Sequence, residues 1–69
     1  MKLRKLLKVI SGEARCVVVG EEDEITRHRR TLFIGRCDNV SYWVSDYRVI
    51  EVENRKTEWV FKVCDKEET

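Results

Sequence analysis

The sequence predicts an α+β domain: an N-terminal helix packed on a small four-stranded antiparallel sheet, in the order α-β-β-short α-β-β. Three observations predict it. Leucines near the start repeat at helical spacing. Four later segments are rich in β-branched and aromatic residues or alternate apolar with polar. The stretch between the second and third of these returns to a helical period. Two hairpins with helices over one face make an α+β architecture.

Leu3, Leu6, Leu7 and Ile10 fall at i, i+3, i+4 and i+7, one apolar stripe with Lys2, Arg4, Lys5 and Lys8 around it. Ser11-Gly12 ends this helix, because Gly tolerates a left-handed cap. So short a helix is marginal alone, and its leucines need a sheet to dock on. "RCVVVG", 15–20, is apolar on both faces and reads as a central strand. "EEDE", 21–24, reads as a charged turn. The second strand is expected from Ile25 to about Cys37, polar early and apolar from Leu32-Phe33-Ile34 onward. Its first half then forms a solvated arm beyond the core. Gly35 marks a bulge or a close backbone approach.

Val40, Trp43, Val44 and Tyr47 share a helical face, with Asp38 or Asn39 as N-cap, so one or two helical turns are expected there. "RVIEVE", 48–53, alternates, with Ile50 and Val52 facing in. "NRKT", 54–57, is a turn. "EWVFKVC", 58–64, places Trp59, Phe61 and Val63 on one face of a last strand. The expected domain is 1–64, followed by a polar tail, 65–69.

A chain of 69 residues is one domain, and a domain this small buries only about 60% of its unfolded surface. Such domains usually need a staple, a metal or a partner. Cys16, Cys37 and Cys64 are odd in number and far apart, with one His in the chain. That suits neither a disulfide framework nor a zinc site. It suits buried thiols in a reducing cytosol. Self-association is then the expected source of extra burial. "MKLRKLLKVI" fails as a signal peptide, since Lys5 and Lys8 break its apolar run. No stretch approaches the ~20 apolar residues of a membrane span. A membrane-surface role for the first helix is disfavoured by its narrow stripe, which lacks Trp and Phe. A cytoplasmic protein without membrane partners is expected. The net charge of +1 hides polarity: residues 1–36 hold nine Lys/Arg against five Asp/Glu, and residues 37–69 hold five against eight.

In element order and local motifs the chain resembles a family of short uncharacterised proteins from phages and prophages of Gram-positive bacteria. The matching features are the leucine helix Lys2–Ile10, the strand Arg15–Gly20 with its acidic turn, and the aromatic-Gly strand Phe33–Arg36. The segment Asp38–Tyr47 and the hairpin Val49–Val63 with Glu53-Asn54 complete them. The resemblance covers most of the chain as a pattern. The chain departs from it in Arg27–Arg30, Trp43 and Trp59, and the family supplies no active-site residues to carry over. It implies the setting of a mobile genetic element, where small proteins commonly bind host or phage proteins, block defences such as CRISPR nucleases, or bind nucleic acid.

Arg27, His28, Arg29 and Arg30 are the densest cationic run. On a strand arm, Arg27 and Arg29 share one face and His28 and Arg30 the other; Arg36, farther along, is a more distant candidate cation. An arm of this kind grips phosphate. The bland reading is a solvated hairpin whose cations pair with Glu21–Glu24 across the turn. Asp23 with Glu21 could hold a divalent ion, but no further carboxylate is placed by spacing to complete the set. His28 is the one near-neutral acid–base candidate, flanked by cations and tied to no nucleophile. Tyr42, Trp43, Tyr47, Trp59 and Phe61 lie in the acidic half, which argues against base stacking. Trp43, Tyr47 and Trp59 read as core or subunit interface.

The reading that follows is an intracellular phage-type protein-interaction module, a homodimer or larger, acting by binding rather than catalysis. Anti-CRISPR-like counter-defence is among its roles. The alternative is a nucleic-acid-binding sheet protein, DNA nicking included, using the Arg27–Arg30 arm. No catalytic residue, metal or cofactor is assigned.

Overall fold

The computed structural model describes residues 1–64; the expected polar tail, 65–69, lies outside the described residues. The order is α1 (Leu3–Leu7), β1 (Arg15–Glu22), β2 (Arg29–Arg36), a 3-10 turn (Cys37–Asn39), α2 (Tyr42–Ser45), β3 (Arg48–Arg55) and β4 (Glu58–Cys64). The fold is α+β with one four-stranded sheet.

The sheet is mixed, where a wholly antiparallel one was expected. Its strand order is β2-β1-β4-β3. Both expected hairpins form, and they join through their first and last strands, β1 and β4, which run parallel from Arg15↔Glu58 to Val19↔Lys62. Hydrophobicity explains the arrangement. The apolar strands, with Val17, Val18 and Val19 on β1 and Val60, Phe61 and Val63 on β4, take the centre. The charged strands β2 and β3 take the edges, where their Arg and Glu side chains blunt edge-to-edge pairing.

The helices share one side. Leu3 of α1, Cys37 of the 3-10 turn and Val44 of α2 form a single core with Cys16, Val18, Phe61 and Val63. Leu6, Leu7 and Ile10 pack against it, so the leucine stripe does what its spacing implies. The helix proper is shorter than expected. After Leu7 the chain tightens, with Val9 N–H donating to Leu6 O at 3.1 Å, although Ile10 still reaches the core. No side chain caps α1, and its length derives from docking rather than from internal stability. Its start is fixed by backbone: Leu3 N–H donates to Tyr47 O at 2.9 Å, and Val49 N–H to Met1 O at 2.8 Å.

Three smaller expectations change. Ile25–His28 is not strand; β2 begins at Arg29. Ile50 does not face in. The register slips between Val49↔Val63 and Glu51↔Lys62, which makes Ile50 the extra residue of a bulge and leaves it 55% exposed. Val52 pairs with Phe61 on the helix side, yet at the sheet's edge it stays 42% exposed. The β3–β4 turn is tighter than 54–57: Asn54 and Arg55 pair in the ladder and only Lys56-Thr57 turn.

Cys16 and Cys37 are buried thiols and Cys64 is half-buried; no disulfide links them. Burial, with the Cys37 thiol alongside, pushes the Cys16 thiol up to about 12. Among the described residues no helix is long and apolar enough to cross a membrane.

Candidate functional site

The basic run straddles the end of the β1–β2 hairpin: Arg27 and His28 lie in the turn, and Arg29 and Arg30 open β2. Asp23 organises the turn: its Oδ1 accepts from the N–H of Ile25 at 2.8 Å and Thr26 at 3.0 Å, and its carbonyl from Arg27 N–H at 2.9 Å. Asp23 N–H donates to His28 O at 2.9 Å, closing the loop. Asp23 Oδ1 is thus engaged in holding the turn. Arg27 adopts a left-handed φ of 63°, off the strand, so it shares no strand face with Arg29. Its guanidinium lies 3.9 Å from Glu22. Arg29 Nη1 donates to Gly20 O at 3.0 Å, back across the hairpin. Arg36 sits at the far end of β2, about 23 Å along the strand from Arg29, paired with Asp38 at 2.8 Å. Arg36 therefore stands apart from the run Arg27, His28, Arg29 and Arg30, which stays together at the exposed end of the β1–β2 hairpin. His28 is exposed on the turn.

A cleft of ≈ 320 Å³ lies at this end of the sheet, lined among others by Glu21, Glu22, Glu24, Arg29, Glu51 and Lys62. Lys62 donates to Glu51 at 3.1 Å across it. No Ser, Cys or His lines it, and among the described residues no three metal-ligating side chains converge. The cleft offers charge but no nucleophile.

The side of the sheet away from the helices carries a more ordered surface. Side chains of register partners lie side by side on one face. One row therefore crosses the sheet as Ile34, Val17, Val60 and Glu53. On one side of it runs the row Arg36, Arg15, Glu58 and Arg55; on the other, Thr31, Val19, Lys62 and Glu51. Two cross-strand ion pairs agree with the alignment, Arg15 to Glu58 at 3.8 Å and Lys62 to Glu51 at 3.1 Å, and Arg55 reaches Glu53 along β3 at 3.5 Å. The middle row is apolar for three of its four positions: Ile34 is 55% exposed, Val17 is half-buried and Val60 is 7% exposed. No element of the described chain packs over this row.

The three expected interface aromatics separate. Trp59 is partly buried against the core and stacks parallel to Phe61, centroids 6.3 Å apart, so its ring walls the core. Tyr47 also packs on the core. Trp43 stands edge-on to Tyr47 at 6.1 Å and remains 58% exposed. Tyr42, which the sequence placed among the aromatics but not at an interface, is 83% exposed. Asp46, one turn after Tyr42, accepts from Lys2 at 3.0 Å and lies 3.5 Å from Arg4. The Lys2 ammonium holds the Asp46 carboxyl below its ordinary 3.8. Lys2 and Arg4 are thus held beside α2 and its aromatics, a juxtaposition invisible along the sequence, where the aromatic half looked acidic.

No family model, no curated protein and no solved structure matches the chain.

Proposed function

We propose that the chain is a small protein-interaction module whose first partner is a second copy of itself, docked through the uncovered sheet face. The observation that carries this reading is the three-row pattern of that face. Consider a two-fold axis along the Ile34–Val17–Val60 row. It sets each apolar residue of the row against its own copy and exchanges the outer rows. Glu58 then meets Lys62 of the second copy, and Arg55 meets Glu51. Arg15 and Arg36 meet the neutral Val19 and Thr31. The one like-charged meeting, Glu53 with Glu53, falls at the edge, where Arg55 lies 3.5 Å away. Two-fold interfaces are self-complementary in this sense, and sheets pack face to face about 10 Å apart.

The size of the face sets the strength. Four strands of about 4.8 Å spacing and ~26 Å length give roughly 500 Å² per partner, against ~800 Å² in a standard interface. A reversible, micromolar-range dimer is the expected result. The charged edge strands favour the face over edge pairing. The reduced thiols suit a reducing compartment, and the likeness in element order to small phage and prophage proteins supports a role by binding, counter-defence included.

Sedimentation equilibrium tests the reading. The wild-type chain dimerises with a midpoint in the micromolar range, and Ile34→Lys stays monomeric with unchanged far-UV circular dichroism. A monomer at hundreds of micromolar, or a dimer indifferent to Ile34→Lys, contradicts it.

A further inference from the structure

We infer that the opposite, helical face binds single-stranded nucleic acid, with bases stacked on Tyr42 and Trp43 and phosphates held by the cations of α1. This surface shares no residue with the sheet face and stands apart from the self-association reading.

The start of the chain and α2 are tied together at Asp46. Lys2 and Arg4 both reach Asp46. Tyr42 is one helical turn before Asp46, about 5.4 Å along the axis, and Trp43 one residue further on. Lys2 and Arg4 therefore share a neighbourhood with the exposed rings, and Lys5 and Lys8 follow on the same short helix. Lys2, Arg4, Lys5 and Lys8 bring four positive charges, all exposed, against the single carboxylate of Asp46. Neither Lys5 nor Lys8 makes an ion pair among the described residues, so both can meet a polyanion without breaking one. Tyr42 and Trp43 are among the most exposed large rings of the fold. Trp43 is steadied by its edge-on contact with Tyr47, itself fixed on the core and by its carbonyl's bond to Leu3 N–H. A steadied ring loses little entropy on stacking a base, and stacking beside cations is how single strands are held without sequence preference.

The chemistry selects among polyanions. Duplex DNA keeps its bases stacked and offers these rings no face. An anionic membrane wants an apolar helix face to insert, and the leucines of α1 are buried in or packed on the core. An acidic protein would engage the lysines without needing the flat rings. The Arg27–Arg30 run lies elsewhere, tied to Glu22 and Gly20 O, so the two cationic regions can be separated by substitution.

The test is anisotropy of a fluorescein-labelled oligo(dT) titrated with full-length protein at 50 mM and 200 mM salt. Saturable binding is expected, with Tyr42→Ala and Trp43→Ala each weakening it about 10-fold. Lys5→Gln/Lys8→Gln should flatten the slope of log K against log salt by about 1.4. Arg27→Ala/Arg29→Ala and the monomeric Ile34→Lys should bind like wild type, so failure of self-association leaves this result standing. Four results overturn the inference. They are no binding at 50 mM salt, binding lost in the Arg27/Arg29 variant yet indifferent to the rings, equal affinity for duplex, and capture by phosphatidylserine vesicles but not by the oligonucleotide.

Discussion

Gly35 has a φ of 153°, a region L side chains rarely adopt, and a Cβ placed there meets the Phe33 ring at 3.1 Å. Gly35→Ala is expected to cost about 1–3 kcal/mol, read as a lower urea midpoint. Arg27 is the reverse case. A non-glycine residue at φ 63° carries strain, and its ion pair with Glu22 is exposed and long at 3.9 Å. Arg27→Gly should raise stability by up to about 1 kcal/mol. Cys16 gives a pH signature. Its thiol is held near 12 in the fold against an ordinary 9.0, so the unfolded chain releases this proton first. Stability from this thiol is complete below pH 9 and falls as pH rises from 9 towards 12. Cys16→Ala should lose stability less steeply than wild type across that window in urea melts. Asp46 acts at the other end: its contribution is present above pH 3.8 and is lost on further acidification. Several of these residue roles were legible in the sequence. The three thiols read as core, which holds for Cys16 and Cys37 while Cys64 is half-buried; Gly35 read as a bulge or a close backbone approach, and what closes on it is the Phe33 ring. Arg27 was not legible, because the turn depends on Asp23 capping two amides, and a strand pattern in the letters competes with it.

Among the elements, the central pair carries the fold. β1 and β4 are hydrogen-bonded on both sides and hold Cys16, Val18, Phe61 and Val63 in the core. Native-state hydrogen exchange should find its slowest amides in β1 and β4 and fast ones in the 23–28 turn. A Phe61→Ala substitution removes a fully buried ring between the helices and the sheet, at about 3–5 kcal/mol. In a domain of this size that is most of the stability, and loss of the cooperative urea transition is expected. Element types followed from periodicity: the leucine stripe, the two hairpins and the short α2 all form. The sheet's order did not follow, because a hairpin fixes only the pairing of its own two strands. Which hairpin edges then meet is decided by burial, and the two most apolar strands are first and last in sequence. The bulge at Ile50 escaped notice for a related reason. Alternation in "RVIEVE" places Ile50 inward, and only a pairing slip against β4 turns it out.

For the whole molecule, the separation of its two faces is the main consequence of the fold. The helices gather on one side, where they finish the core and carry rings and cations outward. The other side is left with an apolar row between two charged rows. A dimer through the sheet faces would turn both helical faces to solvent, so the two surfaces can act at once. The candidate surfaces were the least legible part of the chain. Trp43 and Tyr47 stood out as letters, but the cations beside them belong to α1, some 35 residues earlier in sequence. The rows of the sheet face exist only through the register of four strands. Since salt bridges between exposed rows are screened by salt, the dimer should weaken moderately between 50 and 500 mM NaCl while its apolar row keeps it measurable.

Sedimentation equilibrium across a concentration series, wild type beside Ile34→Lys, bears most directly on the central claim. A reversible monomer–dimer equilibrium in the micromolar range that Ile34→Lys abolishes without altering the fold is the expected result. A wild-type chain that stays monomeric at hundreds of micromolar contradicts it.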